Sequence, residues 1–230
     1  MKPFFPFFGS KWRIAKRYGA PRYPGVIEPF AGSASYSVYW EPQHVLLYDR
    51  DPTIVAAWNW LIHADPNEVR RLPIEFDTVD NIEAPAGARA VVGFWLNKGG
   101  TYPTKRPGKW TQFYRSSQQC RVWSESARER IASQLTKIRH WQVIEGDYTV
   151  APDWQAHWFV DPPYQRAGHK YKGKTPGPAE YAAIAEWCRN RPGFVQVCEN
   201  DDATWLPFKP FVSVRGMKKT SMEALCEFTN

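Results

Sequence analysis

His157-Trp158-Phe159-Val160-Asp161-Pro162-Pro163-Tyr164 is the stretch that indicates most about the fold and function of this chain. Its first four residues form an apolar run that predicts a short buried strand. Asp161 then stands at the carboxyl end of that strand, and the two prolines stiffen the chain and remove two backbone N–H donors. A carboxylate and a backbone carbonyl can therefore point outward as hydrogen-bond acceptors, with the Tyr164 ring beside them.

Such a group of acceptors suits a flat ligand that carries an exocyclic NH2 group. The amine would donate its two hydrogens to Asp161 and to the Pro162 carbonyl, and the ring would stack on Tyr164. A nucleobase flipped out of a nucleic acid strand is a ligand of this kind. A strand that merely ends in an Asp-Pro turn would have the same residues, so the rest of the chain has to separate the two interpretations.

Three further apolar segments end in a polar or acidic residue: 25–28, 45–49 and 194–198. Helical patterns lie between some of them, at 33–40, 52–63 and 179–189. Strands that alternate with helices predict an α/β fold with a mostly parallel central sheet. Ligands of such sheets bind outside the carboxyl ends of the strands, so Glu28, Asp49 and Asp161 are expected to converge on one crevice.

Composition favours a polyanionic partner. The chain has a net charge of +7 and a pI of about 9.2, which is typical of nucleic-acid-binding proteins. The four cysteines have neither CxxC nor zinc-ligand spacing, so we expect free buried thiols in a reducing cytosol, and no metal site. No apolar run is long enough to span a membrane, and the N-terminus lacks a signal-peptide pattern.

The middle of the chain differs from its flanks. Residues 65–139 break the alternation of strands and helices, and ten Lys or Arg residues but only two acids lie between Lys98 and Arg139. We therefore predict a discontinuous α/β domain, 1–64 and 140–230, with an inserted segment, 65–139, whose cations contact phosphates. The cations expected to contact phosphates are Lys98, Lys105, Arg106, Lys109, Arg115 and Arg121. A solvated, irregular loop system is the alternative interpretation.

A candidate cofactor site precedes this segment. Residues 28–34, Glu28-Pro29-Phe30-Ala31-Gly32-Ser33-Ala34, predict a strand-to-helix turn with one glycine, whereas the dinucleotide fingerprint has several. Asp49 follows Gly32 by 17 residues, close to the spacing of roughly 20 expected for an acid that holds ribose hydroxyls. S-adenosylmethionine fits this pattern because it is a nucleoside without phosphates. An ordinary turn followed by a surface aspartate is the alternative.

Together these segments resemble the Dam-like family of DNA adenine-N6 methyltransferases in its phage and prophage forms. The matching segments, in the family's order, are Pro6-Phe7-Phe8-Gly9-Ser10-Lys11, Pro29-Phe30-Ala31-Gly32-Ser33-Ala34, Asp49, Phe94-Trp95-Leu96-Asn97-Lys98, Gly146-Asp147-Tyr148 and Asp161-Pro162-Pro163-Tyr164. The resemblance covers most of residues 3–62 and 141–200. Between 99 and 139 the family's Asn-Gly-Leu-x-Arg pattern has no clear counterpart.

The resemblance implies a Rossmann-like methyltransferase fold, with 1–64 and 140–230 as a discontinuous catalytic domain and 65–139 as an inserted target-recognition subdomain. It implies methyl transfer from S-adenosylmethionine to N6 of a flipped-out adenine in double-stranded DNA, in the cytoplasm of a bacterial host or phage-infected cell. It assigns catalysis to Asp161, Pro162, Pro163 and Tyr164, and cofactor binding to Phe8, Gly9, Lys11, Glu28, Pro29, Phe30, Gly32, Asp49, Asp147 and Tyr148. Within that set, Lys11 would pair with the cofactor's carboxylate, Asp49 would hold the ribose, and Asp147 and Tyr148 would contact the adenine. Asn97 would begin the DNA-contacting segment.

Other interpretations stay open at this point. Lys11 could belong to a solvated basic face with Arg13, Lys16 and Arg17, and Asp147-Tyr148 could be a simple turn. His169 and Lys170 could touch the target strand or form a lid. The chain could also methylate cytosine N4 or RNA adenine, or it could be a catalytically silent DNA-binding protein. The sequence leaves the oligomeric state and the presence of a restriction-enzyme partner undetermined.

Overall fold

The chain folds around one seven-stranded sheet, seen in a computed structural model that describes residues 1–114, 122–166, 176–215 and 220–230. The strands are β1 (Gly25–Glu28), β2 (His44–Asp49), β3 (Gln142–Glu145), β4 (Ala156–Val160), β5 (Gly193–Asn200), β6 (Lys209–Arg215) and β7 (Thr220–Thr229). Their order is β3-β2-β1-β4-β5-β7-β6. Strands β1 to β5 pair in parallel, whereas β7 is antiparallel to both β5 and β6.

The helices are α1 (Ser35–Trp40), α2 (Pro52–His63), α3 (Pro66–Arg71), α4 (Ala86–Leu96), α5 (Lys109–Tyr114), α6 (Glu125–Ala132) and α7 (Pro178–Arg189). Short 3₁₀ turns lie at Ala15–Tyr18, Val79–Asn81, Leu135–Ile138 and Tyr148–Val150. The start of α2 follows from its sequence, because Asp51 caps the Thr53 N–H at 2.8 Å and Pro52 occupies the first helical position.

The prediction of a Rossmann-like α/β fold is confirmed by this sheet. Strand β1 has β2 on one side and β4 on the other, so the chain runs in one direction along the sheet through β3 and returns to build the other half from β4. Ligands of open α/β sheets bind at this switch point, above the carboxyl ends of the two central strands. Every residue of β4 is buried, which explains why its sequence is an uninterrupted apolar run.

The segment 65–139 packs directly on the sheet-covering helix α2. Its described part contains α3 to α6, and its buried side chains share one hydrophobic cluster with Trp58 and Trp60 of α2. Gly87 of α4 marks the closest approach: a Cβ there would lie 2.1 Å from the Ala56 carbonyl oxygen. This region is therefore more regular than the sequence indicated, and its role in target recognition stays a prediction.

Three cysteines, Cys188, Cys198 and Cys226, are free and buried, as predicted, and Cys120 lies outside the described residues. In the part of the chain that is described, no helix has the length and apolar character needed to cross a membrane.

Candidate cofactor and substrate cleft

One open cleft of about 890 Å³ lies at the carboxyl ends of β1, β2 and β4. Glu28, Asp49 and Asp161 all line it, so the three acidic strand ends converge as expected. The other predicted site residues along its wall are Phe8, Gly9, Pro29, Phe30, Gly32, Asp147 and Pro163. The N-terminal segment, the turn after β1 and the end of β4 thus all contribute to the wall of the cleft.

The turn after β1 is held rigidly by its neighbours. The Gly32 N–H donates to Asp49 Oδ2 at 2.9 Å, and the Gly32 carbonyl accepts from the Trp58 indole at 2.8 Å. Gly32 has a φ of +46°, and a Cβ on it would lie 3.0 Å from the Phe7 ring, so both conformation and space favour glycine. Because its amide is already used by Asp49, this turn offers no free N–H at Gly32 for a phosphate.

Asp49 is well placed as an acceptor that faces the cleft. Its two oxygens accept backbone N–H groups, Oδ2 from Gly32 and Oδ1 from Asp51, each at 2.9 Å. Burial raises the pKa of Asp49 to about 6, although these hydrogen bonds oppose the rise. The carboxyl group is therefore ionised at neutral pH and becomes protonated under mildly acidic conditions.

Glu28 is almost completely buried at the floor of the cleft. Its Oε1 accepts the Ser37 N–H at 2.8 Å, which ties the end of β1 to helix α1. Burial raises the pKa of Glu28 to about 8, so this side chain is a neutral acid at physiological pH. A neutral acid in the cleft can donate as well as accept a hydrogen bond.

Asp147 and Tyr148 lie beside Phe30. The Asp147 carboxylate faces the cleft and accepts the Thr149 N–H at 2.8 Å, which starts the 3₁₀ turn. The Tyr148 ring stacks on Phe30 with centroids 5.7 Å apart and also contacts Trp187. Tyr148 therefore supports the Phe30 ring from behind, whereas the sequence indicated that it would itself contact a cofactor ring.

The segment after β4 is braced on both sides. The Tyr181 hydroxyl donates to the Pro163 carbonyl at 2.8 Å, and the Gln165 N–H donates to Glu199 Oε1 at 2.7 Å. Among the residues that the structure describes, none donates to the Pro162 carbonyl. Of the two proline carbonyls, Pro162 is thus the one without a described donor; Pro162 is buried and is not among the residues that line the cleft, so its role as an acceptor for a ligand stays a prediction.

Lys11 and Tyr164 are placed differently from their expected roles. Lys11 is buried, and its ammonium lies 3.0 Å from Asp161 instead of at the cofactor end of the cleft. The same ammonium lies 4.6 Å from the Tyr164 ring centroid, and the Tyr164 hydroxyl donates to Glu223 Oε2 at 2.5 Å. The Tyr164 side chain contacts these two charged groups and is buried, so its ring face is not exposed for base stacking in this structure.

For several residues near Asp161 and the cleft, the sequence gave no indication of their position in the fold. Glu223 comes from the distant β7, and Ser10, Ser33 and Ser35 form a chain of hydroxyls at 2.7 and 3.0 Å. Thr101 is buried and lines the cleft, and the Gly100 carbonyl accepts the Phe8 N–H at 3.0 Å, so segment 65–139 reaches the cleft wall. No group of three or more His, Cys, Asp or Glu side chains in the described ranges is placed to hold a metal ion.

The predicted DNA-contacting residues have varied surroundings. The Asn97 amide donates to the Tyr102 carbonyl at 3.0 Å, so it shapes its own loop, and Lys105 pairs with Asp80 at 2.7 Å. Lys98 is exposed near the Trp95 ring. Arg106 and Lys109 are exposed and pair with no acidic group that the structure describes. Arg115 and Arg121 lie outside the described residues, as do His169 and Lys170.

Other cations of this segment serve the fold. Arg128 and Arg139 donate to backbone carbonyls, Arg130 donates to the Pro3 carbonyl, and Lys137 pairs with Glu41. The local excess of positive charge is therefore partly structural. On the N-terminal segment, by contrast, Arg13, Lys16 and Arg17 are exposed, and within residues 1–114, 122–166, 176–215 and 220–230 no acidic side chain pairs with them.

No protein-family model matches this chain, and no curated protein does. Solved structures similar to it include the rRNA methyltransferase AviRa from Streptomyces viridochromogenes, with 13% identity and a TM-score of 0.42 over 98% of this chain and 88% of that one. A conserved hypothetical protein from Streptococcus pyogenes has 8% identity and a TM-score of 0.34 over 87% and 84%. At this level the likenesses carry no argument about activity.

Proposed function

We propose that this protein is an S-adenosylmethionine-dependent methyltransferase that acts on N6 of a flipped-out adenine in DNA. The observation that carries the proposal is the placement of Asp161. Asp161 and Pro163 line a cleft whose wall also carries Asp49, Asp147 and Phe30. A carboxylate that can accept from an amine thus stands beside a site suited to a nucleoside.

The cleft fits the cofactor in chemistry, because its wall carries acidic and aromatic side chains and a glycine turn. Asp49 would accept the ribose hydroxyls, and Asp147 and Phe30 would contact the adenine. The absence of a glycine-rich phosphate cradle agrees with a ligand that has no phosphate, because the Gly32 amide is already bonded to Asp49.

When bound, S-adenosylmethionine would supply a methyl group on a cationic sulfur. The protein's own task is to make the adenine amine nucleophilic, because its lone pair is conjugated with the ring. Asp161 and the Pro162 carbonyl would each accept one N–H hydrogen, which favours a pyramidal nitrogen and localises the lone pair. As the nitrogen becomes positive, the fixed Asp161 carboxylate stabilises that charge and can accept the proton that leaves. Holding both reactants in one cleft removes much of the entropic cost of their encounter.

Exposed cations that pair with no described acidic group support a nucleic-acid substrate. They are Arg106 and Lys109 in segment 65–139, and Arg13, Lys16 and Arg17 in the segment that follows buried Lys11. These five exposed cations are the ones that we assign to phosphate contacts, in place of the whole charge excess of segment 65–139. Phosphate contacts of this kind position a strand without reading its sequence.

The test is methyl transfer by the purified protein with isotopically labelled S-adenosylmethionine, on duplex DNA and on RNA, followed by nucleoside mass spectrometry. We expect label in N6-methyladenine from DNA, and none with Asp161→Ala, which should still bind the cofactor. The isosteric Asp161→Asn keeps the shape and removes the charge, so it separates loss of the carboxylate from loss of packing. Label in cytosine or in RNA would assign the alternative substrates, and cofactor binding without transfer to any of them would contradict the proposal.

A further inference from the structure

A second carboxylate stands behind Asp161. Glu223 of β7 accepts the Tyr164 hydroxyl through Oε2, and the same oxygen lies 3.9 Å from the Lys11 ammonium. That ammonium lies 3.0 Å from Asp161 and also donates to the Gly9 carbonyl at 2.8 Å. The side chains are 23% exposed for Asp161, 11% for Glu223 and 4% for Lys11, and of the three only Asp161 lines the cleft.

The net charge of the cluster formed by Lys11, Asp161 and Glu223 affects how strongly Asp161 can accept a hydrogen from an amine. With all three groups ionised, two carboxylates share one ammonium and the cluster keeps one surplus negative charge. If Glu223 were absent, Lys11 would form a one-to-one ion pair with Asp161, and the carboxylate would be a weaker acceptor for an amine. Charges interact strongly at such short range in a poorly solvated site, so a change in one partner is felt by the others.

We propose that Glu223 is a positioning residue for methyl transfer, which acts by sharing Lys11 and thereby leaving negative charge on Asp161. The inference rests on the proposed function, and it adds a residue that nothing in the sequence motifs indicates. Lys11 orients the Asp161 carboxylate, Glu223 limits how far Lys11 neutralises it, and the Tyr164 hydroxyl holds Glu223 in place. The four side chains come from the N-terminal segment, the end of β4 and β7, so only the folded sheet brings them together.

The same geometry fixes the direction of two opposite effects. Burial raises the pKa of both Asp161 and Glu223, and the Lys11 ammonium lowers the pKa of both. Removal of the Glu223 charge should lower the pKa of Asp161, and removal of the Lys11 charge should raise it. The other titratable groups that interact electrostatically with Asp161 are Tyr18, Glu28, Tyr164, Cys198 and Glu199. None of them is altered by either substitution.

The experiment measures the Asp161 titration in two ways. Carboxyl-¹³C NMR of aspartate-labelled protein follows Asp161 directly, with Asp161→Asn to assign its signal, and the pH profile of kcat/KM follows it through the reaction. We expect Glu223→Gln to move the Asp161 pKa and the acid limb of the profile down by about one unit. Lys11→Met should move both upward. The matched control is Glu227→Gln, which makes the same chemical change at an exposed position of β7 and should leave both unchanged.

A second variant covers the case in which Glu223→Gln does not fold. Glu223→Asp keeps the negative charge but shortens the side chain by one methylene, which moves that charge away from Lys11, so it should move the Asp161 pKa in the same direction as Glu223→Gln by a smaller amount. An unchanged Asp161 titration in Glu223→Gln, or in Glu223→Asp if only that variant folds, would overturn the proposal. Absence of methyl transfer by the native protein would instead overturn the proposed function, and the NMR titration would still test the linkage between Glu223 and Asp161.

Discussion

Cofactor affinity should depend on pH through Asp49. Its pKa of about 6 lies in an accessible range, and only the ionised carboxylate can accept both ribose hydroxyls. If the cofactor binds the ionised form alone, the fraction of competent protein falls from about nine-tenths at pH 7 to about one-tenth at pH 5. The dissociation constant should then rise about tenfold, which corresponds to about 1.4 kcal/mol.

The substitution Asp49→Ala tests whether that dependence comes from this residue. Loss of a hydrogen bond to a charged acceptor should weaken binding by roughly 1.5–3 kcal/mol at pH 7, and the tenfold difference between pH 7 and pH 5 should disappear. Isothermal titration calorimetry with S-adenosylmethionine at both pH values measures both effects. Asp153→Asn, at an exposed aspartate outside the cleft, serves as the control and should behave like the native protein. Equal affinity of the native protein at pH 7 and pH 5, or a tenfold difference between these pH values that persists in Asp49→Ala, would refute the assignment of Asp49 to the ribose.

Three further predictions concern packing, acid stability and the nucleic-acid surface. Gly87→Ala should destabilise the protein by roughly 1–3 kcal/mol or more in urea unfolding, because a Cβ there would collide with the Ala56 carbonyl, whereas Gly25→Ala, where the space is open, should have little effect. Burial lowers the pKa of His157 from 6.5 to about 4, so the neutral ring contributes up to about 3 kcal/mol to the free energy of unfolding. This contribution is present in full above pH 6.5 and is lost as the pH falls towards 4. In His157→Asn this loss should be absent, and an unchanged acid dependence of stability in that variant would contradict the assignment to His157. The double substitution Arg106→Ala/Lys109→Ala should flatten the slope of log affinity for DNA against log salt by about 1.8, whereas Lys137→Ala, whose cation pairs with Glu41, should leave it unchanged; equal slopes for all three proteins would place the phosphate contacts elsewhere.

Local sequence patterns were sufficient to predict the strands whose carboxyl ends surround the cleft. The apolar runs that become β1, β2, β4 and β5 are buried in the middle of the sheet, so each strand is mostly hydrophobic and a polar residue stands at or just after its end. The position of Asp161 after β4 followed directly from this pattern. The edge strand β3 is largely exposed, which is why its four residues gave no apolar signal.

Tertiary contacts decided what the sequence did not indicate. Glu223 reaches Asp161 only because β7 inserts antiparallel between β5 and β6, a pairing that no local pattern predicts. Tyr164 is buried because its hydroxyl donates to Glu223 and its ring contacts the Lys11 ammonium. Arg128 and Arg139 contributed to the charge excess between residues 98 and 139, yet each donates to backbone carbonyls in the folded chain.

The most direct test of the central claim is the content of methylated bases in DNA from cells that express this protein. Nucleoside mass spectrometry should find N6-methyladenine in cells with the native chain and only the background of the host in cells with Asp161→Asn at equal protein level. A host without adenine methylation of its own gives the clearest contrast. Equal N6-methyladenine in the two cultures would contradict the role assigned to Asp161, and no methylated base above background with the native chain would contradict methylation of DNA by this protein.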